Sequence, residues 1–231
     1  MKRFYKDVAV DQIGDGWRVT LDDRPIRTAG GRPQVVPTRA LAEALAAEWG
    51  GQGETLDPAA FQYRDLADYA IDAVAPQREA VLAELLPYAE TDTLCYRADP
   101  DEPLYKRQVE VWEPVLNRTE ARLNVTFARI SGIIHKHQPA ATLKGLRAEL
   151  DACGDFELAA LKMLSSLSAS LVIALEAIHP GADARALWRA AELEADWQVE
   201  LWGEDWEATE LRATRFAAFE LAMSLARLSR G

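Results

Sequence analysis

The hydrophobic period of this chain changes once, and the place of that change constrains the fold more than any other feature. Before residue 37 apolar and polar residues alternate. Val8 and Val10, then Trp17, Val19 and Leu21, lie on either side of Gly14-Asp15-Gly16, the pattern of half-buried strands joined by a glycine-permitted turn. Asp22-Asp23-Arg24-Pro25 marks a second turn, and Ile26 and Gln34 to Val36 supply short further strands. From Pro37-Thr38 the period becomes helical, with Thr38 as N-cap, Leu41, Leu45 and Trp49 on one face, and Gly50, Gly51 and Gly53 as the stop. A β region of fewer than about 40 residues buries too little surface to fold alone, so it is expected to pack on the helical remainder of the chain. The expected architecture is α+β: a small β domain at 1–37 packed on a larger, mainly helical domain at 38–231.

Further helices are expected at Tyr63 to Val74, Gln77 to Glu90, Pro103 to Leu123, Pro139 to Ala152, Asp155 to Ile178, Asp183 to Trp202 and Glu207 to Leu228. Tyr105, Val109, Trp112, Leu116 and Leu123 repeat at helical spacing. Pro114, among them, lacks a backbone donor and is expected to kink that helix or start a new one. Val125 to Phe127 and Ile133-Ile134 are candidates for short extended pieces. The most apolar run, Met163 to Leu175, contains four serines; it is too short and polar to span ~30 Å of hydrocarbon and reads as a buried helix.

Composition removes several functions. With 26 Lys and Arg against 37 Asp and Glu, the net charge is -11, and such a chain lacks the basic surface that releases counterions from a phosphate backbone. No nucleic-acid partner is expected. Cys95 and Cys153 lie far apart, without metal-ribbon or disulfide-framework spacing. The start, MKRFYKDVAV, has neither an apolar nor an Arg-rich leader pattern, so the expected location is cytoplasmic, without membrane insertion.

Catalytic patterns are weak. There is no G-x-x-x-x-G-K-[ST] loop and no Gly-x-Ser-x-Gly elbow, and the glycines of Trp49 to Glu54 read as a helix stop. His135 and His137 flank Lys136; in a strand both rings would point one way and hold a metal if a third ligand stood nearby. The sequence supplies no clear third ligand, so the pair reads as a solvated basic patch, with a metal-assisted hydrolase as the alternative. Asp68, Asp72 and Asp92 are candidate acid/base carboxylates that read more simply as exposed helix residues or caps, and Cys95 as core filler. No enzyme activity and no cofactor are expected.

Charge gathers around tryptophans near the C-terminal end. From Ala190 to Leu211 there are eight acids and no Lys or Arg. On one helix Glu192, Asp196 and Glu200 form an i, i+4 row, and like charges at that spacing cost roughly 0.2–0.5 kcal/mol per pair. From spacing alone Leu193, Trp197 and Leu201 read as core, Trp202 as a packed helix end, and the acids as a solvated flank. A generic acidic interaction module is a further alternative on these grounds.

Six stretches in order resemble one protein family: "RFYK" (3–6), "LDDRPIRT" (21–28), "EWGGQ" (48–52), "TDTLCYR" (91–97), "QVEVWEPVL" (108–116) and "LEADWQVELWGE" (193–204). The family is that of the mitochondrial and alphaproteobacterial assembly chaperones attending the alpha subunit of the F-type ATP synthase catalytic sector. The resemblance implies an ATP-independent chaperone, without enzyme activity, that shields the unassembled alpha subunit until the beta subunit takes its place; the free protein is expected to be a monomer. It also moves the acidic helix from flank to contact surface. The family's acidic motif position falls on Glu194, with Gln198 and Trp202 one and two turns along the same face, and Asp196 and Glu200 complete the expected partner-binding set. Trp49, Trp112 and Tyr96 are expected in the core, Arg97 and Asp92 in structural pairing. Glu194→Lys is expected to change stability by no more than ~0.5 kcal/mol.

Overall fold

In the computed structural model, which describes residues 1–132, 135–203 and 206–230, strand β1 (Val8–Ile13) pairs antiparallel with β2 (Gly16–Leu21), from Val8↔Leu21 to Ile13↔Gly16. The loop between them is Gly14-Asp15, and Gly14 has φ +57°, a conformation open to glycine. Strand β3 (Arg24–Pro25) returns along β2 across Asp22-Asp23, both at positive φ, as a two-residue primed turn requires. Asp22 Oδ1 accepts the backbone N–H groups of Lys6 (3.0 Å) and Asp7 (2.9 Å), which hold its carboxyl below the usual range. Of the segment Gln34 to Val36, only Val36 joins the sheet, as an isolated bridge to Trp17.

Helix α1 (Arg39–Gly50) starts at Thr38, whose hydroxyl accepts Leu41 N–H, and packs Leu41, Ala42, Leu45 and Trp49 against β1 and β2. Helix α2 (Gln62–Tyr69) has no side-chain cap of its own. Glu48 of α1 supplies one, accepting the N–H groups of Tyr63 (2.6 Å) and Arg64 (2.9 Å), where orphan donors and the helix dipole favour a carboxylate. A π turn, Ala70–Val74, continues α2. These elements belong to one compact unit, Met1–Arg78 with Gly154–Ala160 and Ser224–Gly231.

The second unit comprises Glu79–Cys153 and Leu161–Met223. Along the chain come α3 (Arg78–Leu85), α4 (Pro87–Glu90), β4 (Tyr96–Arg97), α5 (Pro103–Leu123), β5 (Ile130–Ser131), α6 (Ala140–Ala152), α7 (Asp155–Ser168), α8 (Leu171–Ala177), α9 (Ala184–Ala191), α10 (Leu193–Trp202) and α11 (Trp206–Arg230). The α+β class expected from periodicity is the class found. Helix α5 is one 21-residue helix through Pro114, not two. Three other expected helices are each broken, the first, Gln77 to Glu90, at Leu86 between α3 and α4. Ala169 takes φ +50° and Ser170 caps α8, its Oγ accepting Ile173 N–H at 3.0 Å. Glu192 forms a turn between α9 and α10, where the indole N–H of Trp112 satisfies the Ala190 carbonyl at 2.8 Å. Val125 to Phe127 are not a strand; the extended piece is β5, parallel to β4. Ile133 and Ile134 lie outside the described residues.

Asp92 ties this unit together. It is fully buried, and Oδ1 accepts Leu94 N–H (3.1 Å) and the Ser170 hydroxyl (2.7 Å), while Oδ2 accepts Val172 N–H (3.0 Å). The carboxylate therefore caps α8 from 80 positions away. Among the described residues no helix is long and apolar enough to cross a membrane.

Candidate partner-binding site

In the first unit the motif stretches hold one another. Tyr5 Oη donates to the Trp49 carbonyl at 2.6 Å and Arg3 Nη1 to the Gln52 carbonyl at 2.6 Å. Tyr5 packs edge-on against Trp49, which packs against Phe61. These residues, with Asp22 strapping the chain start to the turn, are structural supports. The π turn does similar work: Asp72 accepts the Thr28 hydroxyl and Gly30 N–H, both at 2.8 Å, and a Cβ on Gly30 would stand 2.6 Å from that carboxylate. Asp68 is buried against Ala29 N–H and Gln34, correcting its reading as an exposed helix residue, and burial raises its pKa.

In the second unit the other three stretches meet at one place. Glu194 accepts Nε2 of Gln108 at 2.7 Å. The Gln108 side chain is fully buried, and its Oε1 accepts Ala98 N–H at 2.9 Å. Thr91, Thr93, Tyr96 and His135 line the same cleft as Glu194, with a volume of about 380 Å³. Tyr96, expected in the core, is half-buried and borders this cleft; Trp49 and Trp112 are core. Arg97 does not pair with Asp92. Its Nη1 donates to Glu113 at 2.5 Å, and Arg129 and Arg97 together hold the Glu113 carboxyl below its usual range.

Helix α10 sorts the expected contact residues onto two sides. At about 100° per residue, Trp202 lies roughly 180° from Leu193, while Glu194, Gln198 and Trp202 span about 80°. Leu193 is buried, so Trp202 must face away from the core. Trp202 is 82% and Leu201 56% exposed, which overturns their reading as packed helix end and core. Gln198 Oε1 accepts the Trp202 indole N–H at 3.0 Å, fixing the ring's edge to its own helix.

Asp196 and Glu200 lie on the other side, engaged by arginines. Arg107 of α5 donates to Glu200 at 2.5 Å and keeps its carboxyl below the usual range. Arg212 of α11 binds Glu192 (3.1 Å) and Asp196. The like-charge row expected to weaken the helix is thus neutralised from α5 and α11, and Arg212 stands one position beyond the acid-only stretch.

The remaining candidates are also placed. Asp92 is not an exposed residue but the buried cap described above, and burial raises its pKa to about 6. Cys95 is buried, where its reading as core filler placed it, and burial followed by the Asp92 charge pushes its thiol far above the usual range. His135 and His137 are exposed and outside any strand, with ring centroids 4.9 Å apart. Sequence reasoning missed Gln108, Arg107 and Arg212 at this site. Only Gln108 carried a signal, as the first residue of a motif stretch.

Comparisons with known proteins place the fold. The ATP12 chaperone protein family matches residues 2–120. Atp12p from Paracoccus denitrificans, solved also as an Asp-to-Lys variant, is similar at 38% identity and TM-score 0.94, over 99% of this chain and 98% of that one. The Atu1473 protein from Agrobacterium tumefaciens is similar at 35% identity and TM-score 0.93, over 100% of this chain and 86% of that one. With supports and cleft built from the same six stretches that suggested it, the chain belongs to the ATP12 chaperone protein family.

Proposed function

We propose that the protein is an ATP-independent chaperone that binds the unassembled alpha subunit of the F-type ATP synthase, covers its intersubunit surface, and releases it when the beta subunit arrives. Family membership supports the chaperone class. The observation that carries the contact surface is Trp202, 82% exposed beside Leu201 on the helix that holds Glu194. A large aromatic facing water on a rigid helix supplies contact area at low entropic cost. Its indole N–H is already satisfied by Gln198, so covering the ring strands no donor.

Glu194, Gln198 and Trp202 form the recognition face, with Asp196 and Glu200 as a charged flank whose arginine partners keep the local field moderate. An unassembled subunit exposes apolar surface that aggregates or mispairs; a face with one aromatic anchor and a carboxylate binds it selectively yet reversibly. The protein works alone when free and in the cytoplasm. Mixing purified protein with alpha or beta subunit at micromolar concentration and resolving complexes by size exclusion tests this. A complex with alpha and none with beta is expected, and failure to retain alpha rejects the proposal.

A further inference from the structure

We infer that Glu90, His135 and His137 form a binding site for a divalent transition-metal ion such as zinc. Glu90 ends α4, and the two histidines come after β5 in the chain. One ligand atom from each residue lies within 4.8 Å of the others. Nδ1 of His137 is 3.7 Å from Oε2 of Glu90, close to the roughly 3.4 Å between neighbouring ligands of a tetrahedral zinc ion. The carboxylate that the sequence did not reveal is therefore supplied by a distant helix end.

The groups behind these ligands are already arranged. Oε2 of Glu90 also accepts Gln138 N–H at 2.9 Å. Tyr96 Oη lies 2.7 Å from Nδ1 of His135, with the ring planes 11° apart, and its hydroxyl donates to the Glu90 carbonyl at 3.3 Å. When the hydroxyl proton goes to the Glu90 carbonyl, Nδ1 of His135 is the donor to Tyr96 and its Nε2 is the nitrogen left for the ion. Metal-ligating imidazoles are oriented in this manner, their second nitrogen held by a partner that fixes the tautomer. Two imidazoles and one carboxylate suit zinc, nickel or copper over magnesium and calcium, and leave a coordination position open.

The ion enters from solvent, since the His137 side chain is 85% exposed. Once bound it ties the segment after β5 to α4, and sets positive charge at the rim of the cleft that His135 shares with Glu194. The site needs no protein partner, so it stands or falls apart from the alpha-subunit proposal.

Calorimetric titration of zinc chloride into the full-length, tag-free, chelator-treated protein tests it. One ion per chain is expected, with at least tenfold weaker binding in His135→Ala, His137→Ala and Glu90→Gln, several-fold weaker binding in Tyr96→Phe, and none with magnesium chloride. Circular dichroism checks that each variant is folded. A wild-type protein that takes up no stoichiometric zinc, or a folded His135→Ala, His137→Ala double variant that takes it up undiminished, overturns the inference.

Discussion

Replacing Glu194 by Gln and, separately, by Lys resolves two duties of this side chain. Its carboxylate is the acceptor for Nε2 of Gln108 at 2.7 Å, and Gln108 cannot turn its amide over because Oε1 already serves Ala98 N–H. A hydrogen bond to a charged group contributes about 1.5–3 kcal/mol and a neutral one about 0.5–1.5 kcal/mol. Gln keeps an amide oxygen at the same reach, so its expected cost is about 1 kcal/mol. Lys offers only donors to a buried donor, and its expected cost is about 2 kcal/mol, water at the exposed rim softening the loss. The contact with Gln108 thus raises the cost of Glu194→Lys above that of an ordinary surface substitution. Urea unfolding should place the midpoints in the order wild type, Gln, Lys, with unchanged slope. Affinity for the alpha subunit should fall in both variants, further in Lys, because there the carboxylate charge is what a basic group reads. A folded Gln variant that binds alpha as tightly as the wild type refutes the role of that charge. A Lys variant as stable as the wild type refutes the support of Gln108.

Trp202→Ala should leave stability within about 0.5 kcal/mol and weaken the alpha-subunit complex by about 2 kcal/mol, roughly thirtyfold; equal affinity by calorimetry removes Trp202 from the contact face. For Asp92 the sign comes from its raised pKa, 3.8 in the unfolded chain and about 6 when buried. Its favourable contribution is full below about pH 3.8 and lost as pH rises through 6, an ionisation cost of about 3 kcal/mol at pH 7. Wild-type stability relative to Asp92→Asn should accordingly grow as pH falls from 7 to 4, and parallel pH profiles in urea unfolding contradict this. Ala169→Gly relieves a positive φ of 50° and should stabilise by about 1 kcal/mol, or raise the melting temperature by about 2–4 °C; a lower melting temperature rejects the assignment of strain.

Local rules carried most of the secondary structure. The Gly14-Asp15 hairpin, the Thr38 cap and the span of the Pro103–Leu123 helix were legible because turn chemistry, capping and a helical period act within a few residues, whereas its running on as one helix through Pro114 was not. The breaks at Ala169 and Glu192 were not, because tertiary hydrogen bonds hold them: Thr93 Oγ1 donates to the Ala169 carbonyl at 3.0 Å, and Trp112 reaches Ala190 from α5. The burial of Asp68, and of Asp92 as more than a local cap, was hidden for the same reason, since Ala29, Gln34, Ser170 and Val172 donate to them from far along the chain.

The sequence by itself determined where strands give way to helices, the α+β class, and, through six short stretches, the family. Tertiary structure alone decided which charges on α10 are free. Glu200 and Asp196 meet Arg107 and Arg212, Glu194 meets Gln108 from 86 positions away, and Trp202 faces water because burying Leu193 turns the opposite side of the helix outward. Periodicity is a local property that any segment displays unaided, whereas charge compensation and exposure are properties of pairs of segments, set only once their backbones are packed together.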